Sequence, residues 1–220
     1  LLTSHMLDRG VLLRLDPAVI AERAADERAC FIGIHHLRIA VDETDLQRPA
    51  WLTLPEARNR FGGCEPYVYL GEEDNTPYFA LLLDHDLPKT AEGFAGLRTL
   101  ARGVNNAQAT LLGYAQAMAA WHYRYRFCGR CGEKATKLEA EFAMHCYACG
   151  HRNYPRISPC IITLVTSGEA MLLARSPRFP PGRYSTLAGF IEPGESAEEA
   201  VHREIFEEVG VHVDQLRYHH

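Results

Sequence analysis

The sequence predicts an α+β protein with a β-rich N-terminal region, a cysteine-rich ribbon and a C-terminal region of mixed strands and helix. Three observations predict this class. Short extended runs separated by turn residues fill residues 10–83, a helical repeat of apolar residues follows Pro88, and two Cys-x-x-Cys pairs come next. The chain has 220 residues, 47% of them hydrophobic, which is enough to bury a core in one large or two modest domains.

The N-terminal region, residues 7–95, is predicted to be a mainly β domain. Its extended runs cover four ranges, which are Val11–Leu15, Phe31–Val41, Trp51–Leu54 and Tyr67–Leu83. The last run is interrupted by Gly71–Asn75, whose composition is typical of a hairpin turn. A small helix from Pro17 to about Arg28 fits between the first two runs, since proline is tolerated at the first helical position.

A linking helical segment is predicted over residues 96–126. Leu111, Ala115, Met118 and His122 recur at intervals of three or four residues, which indicates one face of a helix that runs to about Tyr125. The aromatic end of this helix is interpreted as packing against a neighbouring element rather than as a base-stacking surface.

The charge balance excludes some partners. With 23 Lys and Arg against 28 Asp and Glu, the formal charge is −5, so no bulk cationic surface holds nucleic acid and any RNA contact has to be local. No apolar run reaches the roughly 18 residues that span a bilayer, and no secretory signal pattern is present. We therefore expect a soluble, cytoplasmic protein with no membrane partner.

Four cysteines form two Cys-x-x-Cys pairs separated by 14 residues, which are Cys128, Cys131, Cys146 and Cys149. This spacing lets two tight turns face each other across a hairpin and present four thiolates to one tetrahedral zinc ion. Four thiolates leave no open position for water, so the zinc is predicted to fold residues 127–156 as a structural ribbon. A redox dithiol and fortuitous cysteines are the alternatives, and His145 and His151 are adjacent alternative ligands.

A helix is predicted from about Ser196 to Val209. Ser196 fits the N-cap position with Glu199 three residues later, and Gly210 fits a left-handed C-cap. The inner apolar stripe of this helix is expected at Ala197, Ala200, Val201 and Ile205.

Three acids on this helix, Glu204, Glu207 and Glu208, are related by i, i+3 and i, i+4 and therefore share one face. Each close pair of like charges costs roughly 0.2–0.5 kcal/mol on an exposed helix, and the helix dipole disfavours anions near the C-terminal end. A bound cation reverses that penalty, and Mg²⁺ prefers a few carboxylates together with substrate phosphates. A solvated acidic face is the alternative interpretation.

The acidic helix lies in a stretch that matches every fixed position of the Nudix box, Gly-x5-Glu-x7-Arg-Glu-u-x-Glu-Glu-x-Gly-u, in which u is aliphatic. The matching residues are Gly189, Glu195, Arg203, Glu204, Ile205, Glu207, Glu208, Gly210 and Val211. The resemblance to Nudix hydrolases implies that Glu204, Glu207 and Glu208 bind Mg²⁺ or Mn²⁺, and that Glu208 or Glu207 orients or deprotonates the attacking water. Glu195 and Arg203 are expected to form a charge-assisted pair that shapes the loop.

The same resemblance implies an α/β/α sandwich with a mixed sheet for residues 157–220. Its first strands are predicted as a hairpin of Cys160–Val165 and Ala170–Ala174, because turn residues separate these two apolar runs. A third strand is expected at Tyr184–Ala188, and the family has a further strand in the range corresponding to Val211–Tyr218.

The order of these modules, together with the segments Tyr154–Ile162 and Leu187–Phe190, resembles the NADH pyrophosphatase family, also known as RNA NAD-cap decapping hydrolases. The resemblance implies a homodimer that splits NADH or NAD⁺ into AMP and the nicotinamide mononucleotide, with removal of NAD from RNA 5′ ends as a further activity. It also implies nucleotide contacts by Tyr154 and Phe190, a substrate-contacting acid at Glu141, a substrate-binding arginine at Arg98 and a metal-binding backbone carbonyl at Ala188.

That family continues into a Ser-Gln-Pro-Trp-Pro-Phe-Pro substrate motif and a further metal-binding glutamate, which do not occur before His220. We therefore expect the C-terminal part of the Nudix fold to be missing and the activity of this chain to be weak or absent. Two alternatives stay open, namely hydrolysis of ADP-ribose or another nucleoside diphosphate derivative, and a nucleotide- or RNA-binding zinc-ribbon protein without turnover. The sequence does not separate NADH from NAD-capped RNA, or Mg²⁺ from Mn²⁺.

Overall fold

The computed structural model describes residues 7–62, 67–83, 92–138 and 142–219. These residues separate into two compact units, residues 1–155 and residues 156–220. Both units contain strands and helices, so the predicted α+β class is confirmed. The finer domain bounds at residues 95, 126 and 156 stay predictions.

A five-stranded mixed sheet forms the centre of the first unit. Its strands are β1 (Cys30–His35), β2 (Arg38–Ala40), β3 (Tyr67–Glu73), β4 (Thr76–Leu82) and β5 (Phe94–Gly96). Their order across the sheet is β3-β4-β1-β2-β5. The central pair β1 and β4 is parallel, whereas the other neighbouring pairs are antiparallel.

The two hairpins of this sheet turn on pairs of residues with left-handed backbone. His36 and Leu37 have φ values of 44° and 61°, and Asp74 and Asn75 have φ values of 50° and 59°. Two consecutive positive φ values give the tight turn whose twist matches that of antiparallel strands. The hairpin predicted within residues 67–83 is therefore confirmed, whereas the single extended run predicted over residues 31–41 is wrong because a turn divides it.

Four helices accompany the sheet of the first unit, which are α1 (Pro17–Ala25), α2 (Leu54–Phe61), α3 (Leu97–Leu100) and α4 (Asn106–Arg124). The helix predicted from Pro17 is confirmed although it ends at Ala25, and the long helix predicted to end near Tyr125 is also confirmed. No helix in the described ranges is long and apolar enough to cross a bilayer.

One short run predicted to be extended is helical instead, and a second, Trp51–Leu54, is extended only as far as Thr53, with Leu52 bridged to Phe31. Leu13–Leu15 forms a 3-10 turn, because Gly10 adopts a left-handed conformation with a φ of 54° and its carbonyl accepts a bond from the Arg14 amide. Leu54 begins α2, where Thr53 and Glu56 form a capping box. Thr53 and Glu56 have the Thr-x-x-Glu spacing of a capping box in the sequence.

The core of the first unit lies on both faces of the sheet because side chains alternate along each strand. Ile32 and Ile34 of β1 belong to a cluster that includes Leu112 and Ala115 of α4. Phe31, which precedes Ile32 in β1, belongs instead to the cluster that includes Ala24 of α1 and Phe61 of α2. The sheet is therefore covered by α4 on one face and by α1 and α2 on the other.

The cysteine-rich segment of the first unit carries a small antiparallel sheet. Its strands are β6 (Thr136–Leu138), β7 (Ala143–His145) and β8 (Arg152–Asn153), and β7 lies in the middle. Ala135 and Met144 from this segment are buried in the same apolar cluster as α4. Packing against the long helix thus supports a segment that has few apolar residues of its own.

The second unit contains two two-stranded sheets and one helix. Its elements are β9 (Cys160–Thr163), β10 (Val165–Ser167), β11 (Ala170–Leu172), β12 (Leu187–Phe190) and α5 (Ala197–Val209). β10 pairs with β11 in a tight hairpin, and β9 pairs antiparallel with β12. This unit therefore combines short antiparallel strands with a single helix among its described residues.

Three strand predictions in the second unit need correction. The hairpin is shorter than predicted, because residues 160–163 leave it and pair with β12 over four residues. The third strand starts at Leu187 rather than at Tyr184, where only Ser185 forms an isolated bridge, to Ala174. Residues 211–218 form no strand, since no described strand pairs with them.

Candidate metal centres

The four cysteines predicted as zinc ligands converge in the first unit. Their Sγ atoms, on Cys128, Cys131, Cys146 and Cys149, all lie within 4.8 Å of one another. Tetrahedral zinc with Zn–S distances of about 2.3 Å places its sulfurs about 3.8 Å apart. Two of the observed Sγ–Sγ distances are 3.6 Å and 3.4 Å, and the described cysteines are free thiols. The donor set and its spacing fit one zinc ion.

Two tight turns of the backbone bring these sulfurs together. The amide of Gly132 donates to the carbonyl of Cys128, and the amide of Gly150 donates to that of Cys146, each at 2.8 Å. Both glycines adopt the left-handed region, with φ values of 83° and 70°, which other residues rarely enter. Gly129, the glycine inside the first pair, does not have a positive φ. The turns therefore depend on the glycine that follows each Cys-x-x-Cys pair.

The two alternative histidine ligands lie outside the cysteine group. The four cysteines are the members of the candidate metal cluster in the described residues, and His145 and His151 are not among them. His151 contributes its backbone carbonyl, which accepts a bond of 2.9 Å from the amide of Cys146. The amide of Arg130 donates to the Sγ of Cys128, and this contact lowers the pKa of that thiol.

The predicted acidic helix is present as α5, and both of its ends have the expected caps. The Ser196 hydroxyl accepts from the Glu199 amide, and the Glu199 carboxylate accepts in return from the Ser196 amide. Gly210 closes the helix with a φ of 68°. Of the expected apolar stripe, Ala200 and Ile205 are buried, Val201 is half-buried and Ala197 is exposed.

Arg203 is the centre of a hydrogen-bond network on α5. Its guanidinium binds both carboxylate oxygens of Glu195, through Nε at 2.5 Å and Nη2 at 2.9 Å. Nη2 also donates to the Phe190 carbonyl, and Nη1 donates to Glu204 and Glu207 at 3.0 Å each. The predicted pair of Glu195 with Arg203 is confirmed, and the Arg203 bonds hold the pKa of Glu195 at about 2. Arg203 thereby ties the loop after β12 to the helix.

Glu204 lies against the backbone of Gly189 in β12. A Cβ atom added at Gly189 would collide with the Cγ, Cδ and Oε1 atoms of Glu204. The side chain of Glu204 is only 17% exposed, whereas that of Glu207 is 57% exposed. The glycine that opens the box is therefore needed because its bare Cα leaves room for the first carboxylate of the acidic face.

The three acids of α5 do not gather in the way the cysteines do. Among the described residues, only the cysteine group brings three or more ligand atoms close enough for one ion. Glu204 and Glu207 instead share Nη1 of Arg203, and Glu208 is exposed. Their hard carboxylate oxygens nevertheless suit Mg²⁺ or Mn²⁺, and the space kept open at Gly189 admits Glu204 to the site.

The other residues implied by the family resemblance occupy different parts of the chain. Phe190 is 65% exposed at the end of β12, and Ala188 of the same strand pairs with Ile162 of β9. Tyr154, in the first unit, is 44% exposed, and Arg98 is exposed on α3. Glu141 lies outside the described residues.

Two contributions to the acidic site were not foreseen from the sequence. The Phe190 carbonyl is held by Arg203, and Glu207 forms an i, i+4 ion pair with the same arginine. The i, i+4 spacing of Arg203 and Glu207 in the sequence is enough to predict the second contact. A backbone carbonyl has no sequence signal, so only the fold reveals the first.

Comparison with known protein families divides the chain into three consecutive matches. Residues 28–121 match the NADH pyrophosphatase-like rudimentary NUDIX domain, and residues 124–154 match the NADH pyrophosphatase zinc ribbon domain. Residues 155–220 match the NUDIX domain. The cysteine cluster therefore falls in the ribbon match and α5 in the NUDIX match.

Curated relatives are similar to this chain over about two thirds of its length. The NAD-capped RNA hydrolase NudC of Pseudomonas syringae pv. tomato is 47% identical over 149 residues, which are 68% of this chain and 54% of that protein. The protein of the same name from Stutzerimonas stutzeri is 48% identical over 151 residues, again 68% of this chain and 54% of the relative. The chain thus spans about half the length of the curated relatives it matches.

Proposed function

We propose that this chain, which belongs to the NADH pyrophosphatase family of Nudix hydrolases, carries the metal-binding element for hydrolysis of a dinucleotide diphosphate. The substrates are NADH or NAD⁺, which give AMP and the nicotinamide mononucleotide, and NAD-capped RNA. The observation that carries this proposal is the acidic face of α5, where Glu204, Glu207 and Glu208 stand above a glycine that leaves space for the first of them.

Zinc has a structural role in this proposal. Cys128, Cys131, Cys146 and Cys149 provide four thiolates, so a bound ion has no open position for water or substrate. The strands around the cluster are only two or three residues long, and a metal tie compensates for the small apolar core of such a segment.

Mg²⁺ or Mn²⁺ is the proposed catalytic ion. When bound, such an ion neutralises charge on the diphosphate and lowers the pKa of a coordinated water. Glu204, Glu207 and Glu208 supply its carboxylate ligands, together with the backbone carbonyl of Ala188. Glu208, or Glu207 in the alternative assignment, orients the attacking water or accepts its proton, since both carboxylates are exposed and close to the ligand face.

Arg203 and Glu195 position the loop that precedes the helix. The bidentate bond between them and the Arg203 bond to the Phe190 carbonyl hold the loop against α5. Phe190 is thereby presented with an exposed ring that can stack on a base or a nicotinamide. Substrate contacts by Tyr154, Glu141 and Arg98 belong to the same proposal and rest on the family resemblance.

Replacement of Glu208 by glutamine tests the catalytic assignment. Because glutamine keeps the shape of the side chain and removes its basicity and charge, we expect E208Q to release AMP from NADH at least about 100-fold more slowly. Glu198, an exposed acid on the first turn of the same helix, offers the matched control E198Q, which should keep the activity of the parent chain. Equal, measurable rates in E208Q and the parent would exclude the assignment of Glu208, whereas binding of NADH with no AMP release from either chain would favour nucleotide binding without turnover.

The substrate is ranked by measuring AMP release from NADH, NAD-capped RNA, ADP-ribose and a diadenosine polyphosphate at equal concentration. The proposal expects NADH and NAD-capped RNA to be cleaved with the highest kcat/KM. A preference for ADP-ribose would replace the proposed substrate but keep the reaction class. A homodimer and a cytoplasmic location complete the proposal, and light scattering of the purified protein tests the first of these.

A further inference from the structure

The zinc ribbon differs in charge from the chain as a whole. Residues 124–154, which match the ribbon family, contain six Lys and Arg but only three Asp and Glu. The whole chain, by contrast, contains 23 Lys and Arg and 28 Asp and Glu. In the described part of the ribbon, residues 124–138 and 142–154, the single acid is Glu133. The ribbon is therefore a local basic segment of an acidic chain, and such a segment can contact phosphates.

An aromatic ring and a lysine lie side by side on the first cysteine turn. Phe127 and Lys134 form an antiparallel bridge, next to which the Cys128 amide donates to the Glu133 carbonyl at 2.7 Å. Directly opposite side chains share one face, with Cβ atoms about 4.5–5.5 Å apart. Phe127 is 61% exposed and Lys134 is also exposed. A base can stack on such a ring while its phosphate meets the neighbouring cation.

The second cysteine turn places another exposed ring beside the same cluster. Phe127 precedes Cys128 and Tyr147 follows Cys146, and the Sγ atoms of these two cysteines lie within 4.8 Å of each other. Tyr147 is 70% exposed, and its ring packs edge-on against His145 with the centroids 4.4 Å apart. The two exposed aromatic residues therefore flank one metal cluster.

A second cation lies within the first cysteine turn. Arg130 stands between Cys128 and Cys131, and its amide donates to the Sγ of Cys128 at 3.4 Å. This residue is exposed, as is Lys134. Successive side chains of an extended stretch point to opposite faces, so Glu133 does not share the face of Lys134. Two cations and two aromatic rings are thus presented to solvent around the cysteine cluster.

We propose that Phe127, Arg130, Lys134 and Tyr147 form a binding surface for single-stranded RNA, namely for the nucleotides that follow the NAD cap. Aromatic rings stack on bases with little regard to sequence, and the two cations contact backbone phosphates. The choice of RNA as the strand rests on the proposed function, in which NAD-capped RNA is a substrate. The ribbon would give capped RNA contacts that free NADH lacks.

Fluorescence anisotropy of an uncapped, single-stranded RNA of about ten nucleotides tests this surface over a range of salt concentrations. The double variant R130Q/K134Q removes two cations, so the slope of log Kd against log salt should decrease by about 1.4, or about 0.7 for each phosphate contact on a single strand. F127L keeps an apolar side chain but loses the stacking face, and it should weaken binding about fivefold or more. Retention of one equivalent of zinc shows that each variant is folded.

The matched control is R48Q/R58Q. Arg48 and Arg58 are exposed arginines of the same unit outside the ribbon, and their loss changes the net charge equally, so the salt slope should stay that of the parent. An unchanged slope and affinity in R130Q/K134Q would overturn the proposal. An equal change in the control would do the same, since the effect would then belong to the net charge. Loss of self-association without loss of RNA affinity in F127L would assign the ring to an interface between copies and also overturn it.

Hydrolysis separates this proposal from the proposed function. In a parent chain that releases AMP from both substrates, R130Q/K134Q should raise the KM for NAD-capped RNA several-fold, with a much smaller effect on the KM for NADH. The same change in both KM values, or none in either, would exclude the ribbon as an RNA surface and keep the hydrolase. RNA binding by a parent chain that cleaves neither substrate would instead refute the hydrolase and support the surface as a nucleic-acid site.

Discussion

The cysteine cluster offers four metal-ligand side chains and the acidic face of α5 offers three, but only the cysteine side chains already converge on one point. The cysteine sulfurs lie within 4.8 Å of one another and are held by two glycine turns. On α5, by contrast, Glu204 and Glu207 are bound to Arg203 rather than directed at a common point. The backbone fixes the positions of the cysteine sulfurs. On α5, a metal ion has to compete with Arg203 for the carboxylates of Glu204 and Glu207.

This difference follows from side-chain length and burial. A cysteine sulfur is one bond from Cβ, so the position of the backbone decides where the sulfur lies. A glutamate carboxylate is three bonds from Cα and can rotate towards whichever cation is nearest. Loss of one cysteine ligand should therefore affect zinc binding and folding of the whole cysteine-rich segment. Changes to the neighbours of the α5 carboxylates should instead alter the affinity for the metal in smaller steps.

The largest effect is expected from C146S. Cys146 is buried at 1% exposure, and structural zinc contributes on the order of 10 kcal/mol to the folding of small zinc modules. We expect bound zinc, measured by mass spectrometry of the metal content, to fall from one equivalent to almost none. Hydrogen exchange of residues 127–138 and 142–153 should accelerate. C160S, at an exposed cysteine of β9, is the control, and full zinc content in C146S would contradict a four-cysteine site.

The second expected effect is from G189A. The added Cβ collides with Glu204, so this carboxylate has to leave its place above β12. We expect the affinity for Mn²⁺, measured by calorimetric titration, to fall roughly 10- to 100-fold, as for the loss of a supporting neighbour in other metal sites. G96A is a suitable control because no atom lies within 4 Å of a Cβ built at Gly96. Unchanged Mn²⁺ affinity in G189A would show that Glu204 is not a ligand.

A smaller effect in the opposite direction is expected from R203M. Methionine removes the cation that binds Glu204 and Glu207, so Mn²⁺ no longer competes with a guanidinium. An exchange of this kind is expected to raise Mn²⁺ affinity a few-fold, in line with the energies of partly exposed ion pairs. R217M, at an exposed arginine outside the network, should have no effect. Weaker Mn²⁺ binding in R203M would mean that Arg203 orients the carboxylates for the metal.

The smallest effect is expected from S196A. Loss of the capping hydroxyl leaves the Glu199 amide without its acceptor and should lower the free energy of unfolding by about 1 kcal/mol. Urea denaturation followed by circular dichroism measures this change, with S158A at an exposed position outside the helices as the control. A loss well above that value would indicate that the cap also supports the loop between Glu192 and Glu195.

Sequence patterns correctly predicted the features that depend on residues close together in the chain. The capping box at Ser196, the left-handed Gly210 and the two Cys-x-x-Cys pairs were all confirmed because each depends on residues within a few positions of one another. The pair of Glu195 with Arg203 was predicted by the match to a known box rather than by any periodicity. Strand limits were predicted less well, since hydrogen-bond partners far along the chain decide them.

Pairing across the chain explains the errors. Residues 160–163 were placed in a hairpin with 170–174, but β9 pairs with β12, whose residues lie more than 20 positions later. The run over residues 31–41 was read as one strand because its apolar composition hides the turn at His36 and Leu37. The apolar composition of a segment indicates that the segment is buried, but it does not indicate which strand the segment pairs with.

The sequence by itself determined the kinds of ligand this protein offers, namely four thiolates in one segment and a row of carboxylates on one helix. Only the tertiary structure decided that the thiolates already converge and that Arg203 occupies the carboxylates. Spacing along a helix or a turn is a local property of the chain, whereas burial and the choice of ionic partner arise only when distant segments pack together.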